Sequence, residues 1–113
     1  MKEGDVVLVS LIQSDGKSKV RPALILKKMP PFNDLLVCGI SSQLSQRVLN
    51  FDEIINLNDR DFRQSGLVQP SLIRLGFLTV LSTKTLMGSI GSILPVRLER
   101  LQKTLSDYLI RRD

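Results

Sequence analysis

Two short stretches carry side chains suited to chemistry on a phosphate. In DGKSKVRPALILKK (15–28), a polar loop holding Asp15, Gly16, Lys17 and Lys19 runs into Arg21-Pro22 and then into an apolar run. Proline disfavours the helical region for the residue before it, so Arg21 is held extended. The missing N–H of Pro22 suits the first residue of a strand or an edge. An arginine fixed in this way presents a planar fork of donors that matches phosphate oxygens, and arginine side chains keep their charge near neutrality. The lysines beside it can follow a phosphate chain. The same residues fit a purely structural reading, in which Arg21 caps the strand or pairs with Asp5 or Asp15. In GISSQLSQ (39–46) a buried run ends in Ser41, Ser42 and Gln43. Strand ends on one rim of a barrel bring distant loops together. That would set the Ser41 hydroxyl facing Arg21, although turn chemistry alone also explains Ser-Ser-Gln.

What is missing narrows the chemistry further. The chain has no histidine, which excludes imidazole-built zinc sites and Ser-His-Asp triads. Cys38 is the only cysteine and lies within LLVCGI, where a small hydrophobe belongs in the core, so there is no internal disulfide. No metal and no cofactor are expected. The balance of 16 basic against 11 acidic residues, net +5, favours a polyanionic partner. Phe32, Phe51, Phe62, Phe77 and Tyr108 are too scattered for a base-stacking platform of the clustered kind. No run approaches the roughly 18 apolar residues of a membrane span, and the N-terminus lacks the pattern of a secretory signal. The expectation is a single domain over 1–113 in the cytoplasm, with no membrane contact.

The elements that must position these residues read mostly as strands. Short runs rich in Val, Ile and Leu, punctuated by Gly, Pro, Asn, Asp and Ser, predict strands over 5–12, 23–28, 35–41, 49–54, 71–75 and 77–82. Consecutive apolar positions at Val6–Val9 and Leu35–Cys38 predict strands covered on both faces. NFDEII alternates instead, with Phe51 on one side and Asn50 and Asp52 on a wet side. Pro30-Pro31 and Asn33-Asp34 mark a turn. After Pro95 the period changes: Leu98, Leu101, Leu105 and Leu109 form a helical stripe, with Arg97, Arg100, Lys103 and Asp107 off it. The pattern predicts a small, strand-dominated barrel closed by one C-terminal helix. Arg47, Arg74 and Lys84 are further basic residues available to a charged surface.

GDVVLVSLIQSDGKSKVRPALILKK, then CGISSQ, then SGLVQPSLIRLGFLTVLSTKTLMGSIGSI and a closing helix resemble the PemK/MazF family of bacterial toxins along nearly the whole chain. The Gly4-Asp5 start and the Arg21-Pro22 step carry most of the likeness. It implies an SH3-like small barrel of the CcdB/PemK type and a homodimer. It also implies metal-independent cleavage of single-stranded RNA at short motifs, leaving 2′,3′-cyclic phosphate and 5′-hydroxyl ends. By the resemblance Arg21 falls on the catalytic arginine and Ser41 on a catalytic Thr or Ser position. Asp15, Gly16, Lys17, Lys19, Ser42 and Gln43 would contact substrate. The partners implied are single-stranded RNA or mRNA, a cognate antitoxin and, only together with that antitoxin, operator DNA. Two places depart from the family pattern. The loop before Arg21 lacks the acidic or glutamine residues with which several members read bases, and Gly76-Phe77 stand where relatives often have an Asp and a basic residue. Two rival readings keep the barrel but not the cleavage: a gyrase poison like CcdB, and a plain SH3-like binding module.

Overall fold

Runs of consecutive Val, Leu and Ile have no polar face to leave in water, so they form strands buried on both sides. The structure, a computed structural model, describes residues 1–12 and 14–112. It orders the chain as β1 (Asp5–Ile12), β2 (Ser18–Met29), β3 (Asp34–Ser41), β4 (Glu53–Ile55), β5 (Ser71–Leu81), β6 (Leu86–Ser92) and α1 (Pro95–Ile110). The strands form one antiparallel sheet in the order β4-β5-β3-β2-β1-β6. Val6, Leu24, Cys38 and Ile40 pack on one face, which α1 closes with Leu101 and Leu105. Their neighbours Val7, Val9, Ala23, Ile25 and Val37 build a second cluster on the other face, as the uninterrupted apolar runs predict. Cys38 is fully buried, and burial, with the nearby Asp52 charge, pushes its thiol up to about 12. It is a core residue with no thiolate chemistry near neutral pH.

Slips in pairing curve this sheet into a small barrel. The β2–β3 ladder skips Leu26, whose carbonyl accepts from Gln102 Nε2 at 2.7 Å. Between β3 and β5, Cys38 pairs with Leu78 but Gly39 pairs with Arg74, so Leu75, Gly76 and Phe77 bulge from the ladder. The buried Asp52 secures this bulge: its carboxylate accepts from Leu75 N at 3.0 Å and from Val48 N at 2.9 Å.

Several expectations change in the folded chain. The second strand starts at Ser18 instead of residue 23, because Pro22 sits where β3 has left the ladder and interrupts none of its pairs. The segments 71–75 and 77–82 are one strand, Gly76 marking a bulge and not a break. The strand expected over 49–54 shrinks to Glu53–Ile55: Asn50 adopts φ 62° in a turn, and Asp52 is buried instead of wet because backbone amides satisfy it. β6 was not among the predicted strands, its apolar signal being diluted by Gly88 and Gly91. The turn at Pro30–Asn33 and the first-turn position of Pro95 are as predicted. On α1, Leu101 and Leu105 are buried, but Leu109 is 66% exposed and Arg97, expected on the wet face, is only 8% exposed. No described helix is long and apolar enough to cross a membrane.

Candidate active site

The β1–β2 hairpin pairs from Val6↔Leu24 out to Ile12↔Ser18, whereas β3 joins β2 only from Ala23↔Gly39 onward. Arg21 therefore lies inside β2, beyond the end of the β3 ladder, and not at the mouth of its own strand. Carrying the register two residues past Ala23↔Gly39 sets Arg21 opposite Ser41 on the same face of the sheet. Both line a cleft of about 300 Å3 with Pro22, Ile40 and Ser42. Arg21 is half-buried and makes no hydrogen bond or ion pair with a described residue; Asp5 binds Lys2, and Asp15 accepts from Lys17 N at 2.9 Å. Ser41 Oγ accepts from Gln43 N at 3.0 Å, a turn bond that occupies a lone pair and leaves the hydroxyl proton available to the cleft. A guanidinium with no partner among the described residues and an oriented hydroxyl, both bordering one hollow, can grip the oxygens of a phosphate from two strands.

The opposite wall was not anticipated from sequence: Gly66, Leu67, Val68, Gln69 and Ser71, with Ile90 of β6. This segment crosses β6 at glycine distance. Gly66 has φ +77°, and a Cβ there would stand 2.1 Å from Ile90 O, while one on Gly91 would stand 2.1 Å from Gln64 O. Ser92 N donates to Gln64 O at 2.9 Å and ties the crossing. The usable signal was the pair of glycine punctuations, Ser65-Gly66 and Gly88–Gly91, which mark close backbone approach as well as turns.

Of the other predicted contacts, Ser42 joins the cleft and the rest do not line it. Asp15, Gly16 and Lys17 form the exposed hairpin turn, with Gly16 at φ +82°. Lys19 is exposed on β2, two residues from Arg21 and on the same side of the strand; Gln43 is exposed just past β3. A larger hollow, about 610 Å3 between residues 48–51 and the end of α1, contains none of the predicted site residues. Among the described residues no group of three or more His, Cys, Asp or Glu could hold a metal ion.

The cleft wall is held from behind by ions. Arg97 donates through Nε and Nη2 to Asp61 at 2.8 and 3.1 Å, through Nη2 to Asp59 at 3.0 Å and through Nη1 to Glu53 at 2.9 Å. Arg100 grips the same Glu53 at 2.9 and 2.8 Å. Burial alone would raise the Asp61 carboxyl, but Arg97 and the Leu94 amide outweigh it and hold it below the usual carboxylate range. The network joins α1, β4 and the 59–66 segment whose end forms the cleft wall.

A curved antiparallel sheet of six strands closed by one C-terminal helix is the fold of a MazF toxin of known structure. The structure superposes on the Mycobacterium tuberculosis toxin MazF-mt6 with a TM-score of 0.69 and 20% identity, covering 96% of this chain and 99% of that one. Residues 2–109 match the family model of PemK-like, MazF-like toxins of type II toxin-antitoxin systems, and the chain belongs to that family. No curated protein sequence matches it.

Proposed function

We propose that this toxin arrests growth in the cytoplasm by cutting single-stranded RNA, mRNA included, at short motifs and without a metal. The observation that carries the reading is the Arg21 guanidinium, without a partner among the described residues, opposite Ser41 in one rim cleft. RNA brings its own nucleophile, so the protein must align the backbone and stabilise developing charge. The 2′-oxygen attacks phosphorus as the bond to the 5′-oxygen breaks. The 2′-hydroxyl loses a proton and the leaving oxygen gains one, which yields a 2′,3′-cyclic phosphate and a 5′-hydroxyl. Arg21 meets the charge on the non-bridging oxygens, and Ser41 donates to the same phosphate. Ser42 and Gln43 contact the nucleotide beyond; Lys17 and Lys19, on the turn shaped by Asp15 and Gly16, draw the strand in.

Two copies form the working unit, with the RNA groove running across them. An acidic, partly disordered antitoxin segment folds over that groove and occludes it, and the pair together binds operator DNA. The decisive experiment incubates the purified chain with mixed-sequence single-stranded RNA in EDTA. Discrete fragments ending in cyclic phosphate are expected. Intact RNA, with or without gyrase inhibition, would overturn the nuclease reading, and a monomer by light scattering at micromolar concentration would overturn the paired groove.

A further inference from the structure

The bulge between β3 and β5 puts an aromatic ring where the core has no use for it. Phe77 is 46% exposed and belongs to neither core cluster. Its ring lies directly on Gly39: a Cβ built there would stand 3.1 Å from Phe77 Cδ2 and 3.4 Å from Cγ. Arg74, the β5 partner of Gly39, holds its guanidinium over the ring at 5.5 Å from the centroid. The register then locates this ring relative to the cleft. Ala23 is opposite Gly39, and Arg21 and Ser41 lie two residues along their strands on that same face, about 7 Å away at the strand rise. Lys19 follows one step further out. One face of the sheet thus carries, in line, a lysine, the arginine-serine pair and an exposed ring backed by a cation.

We propose that Phe77, seated on Gly39 and backed by Arg74, is a stacking subsite for one unpaired nucleobase beside the phosphate held at Arg21 and Ser41; the assignment rests on the nuclease reading above. Single strands are read by stacking bases on rings or guanidinium planes, because every base has a π-face whatever its identity. The side-chain-free Gly39 lets the ring lie low on the sheet, and the bulge turns it out of the ladder that would otherwise direct residue 77 along the strand. One ring here does what the scattered aromatics of the sequence do not suggest, because its partners are an arginine and a glycine and not further aromatics.

The test measures binding of a fluorescein-labelled single-stranded RNA, carrying 2′-O-methyl groups so that it cannot be cut, in EDTA. Phe77→Ala and Phe77→Leu should each weaken binding by roughly 5- to 150-fold, and Phe77→Trp should bind as wild type. An abasic substitution at one position of the oligonucleotide should cost wild type the same factor and cost Phe77→Leu nothing more. Wild-type affinity in Phe77→Leu, or an abasic penalty unchanged by that substitution, overturns the subsite. So does a changed particle mass of Phe77→Leu by light scattering, which would make the ring a contact between copies. Wild type that binds the oligonucleotide through Phe77 yet leaves unmodified RNA intact would retain the subsite and remove the nuclease reading. Cleavage unaffected in Phe77→Leu would do the reverse.

Discussion

Arg97 gives four hydrogen bonds to Asp61, Asp59 and Glu53 between α1 and β4, whereas Arg21, on the sheet rim, gives none to any described residue. The side chains are chemically identical, and their neighbours divide the work. A guanidinium with four of its five N–H donors engaged by carboxylates has little capacity left for a ligand, and removing it would strand buried charge. A guanidinium held by backbone geometry alone is already positioned and can donate its full fork to an anion without first breaking an ion pair. The two regions are also linked. The Arg97 network anchors the 59–66 segment, and Gly66–Gln69 at its end line the same cleft as Arg21.

The contrast can be broken by substitution, beginning with the largest effect. Arg97→Ala leaves Asp61, 2% exposed, without its partner and should cost about 3–5 kcal/mol of stability by urea unfolding. A loss below about 1 kcal/mol would reduce the network to a surface contact. Arg21→Ala should lower the RNA cleavage rate by about 10²- to 10³-fold, with unfolding changed by less than about 0.5 kcal/mol. Retained cleavage would end its catalytic assignment.

Acid should act on the first region. The Asp61 carboxyl is held below its ordinary value in the fold, so as pH drops the unfolded chain takes up its proton first. Its contribution is present in full above about pH 4 and is lost as pH falls further, through the lowered folded value. Urea midpoints followed from neutral to acid pH should show this loss in wild type and a flatter profile in Arg97→Ala; parallel profiles would contradict the coupling. The smallest effect concerns the approach to Arg21. Each of Lys17→Ala and Lys19→Ala should reduce the slope of log affinity against log salt by about 1, uniformly across RNA sequences. An unchanged slope would return both to plain solvated surface.

The site was readable where its cause is local. Pro22 dictates the backbone of Arg21 from one residue away, and the end of the apolar run at Ile40 brings Ser41 and Ser42 to a strand terminus; both signals survive in the fold. The two buried faces were equally readable from Val6–Val9, because a strand with no polar alternation needs cover on each side. The failures share a different cause. Arg97 looked wet although the helical period sets it four residues before Leu101, on the buried face of α1, because the carboxylates that let an arginine sit there lie 36 to 44 residues earlier in the chain. Asp52 looked wet for the same reason, its partner amide at Leu75 being 23 residues away. Gly76 read as a break because a bulge and a turn use the same residue for the same conformational freedom.

The sequence by itself determined the strand and helix character of the chain, the extended backbone at Arg21, the burial of Cys38 and the exclusion of histidine chemistry. These follow from steric and hydrophobic rules that act over a few neighbouring residues. Tertiary structure decided which arginine is spent on the scaffold and which stays open, where Gly66–Gln69 complete the cleft, and that Phe77 lies on Gly39 instead of in the core. Hydrogen-bond partners and close backbone crossings are set by distance in space, and the chain brings together residues that no local pattern relates.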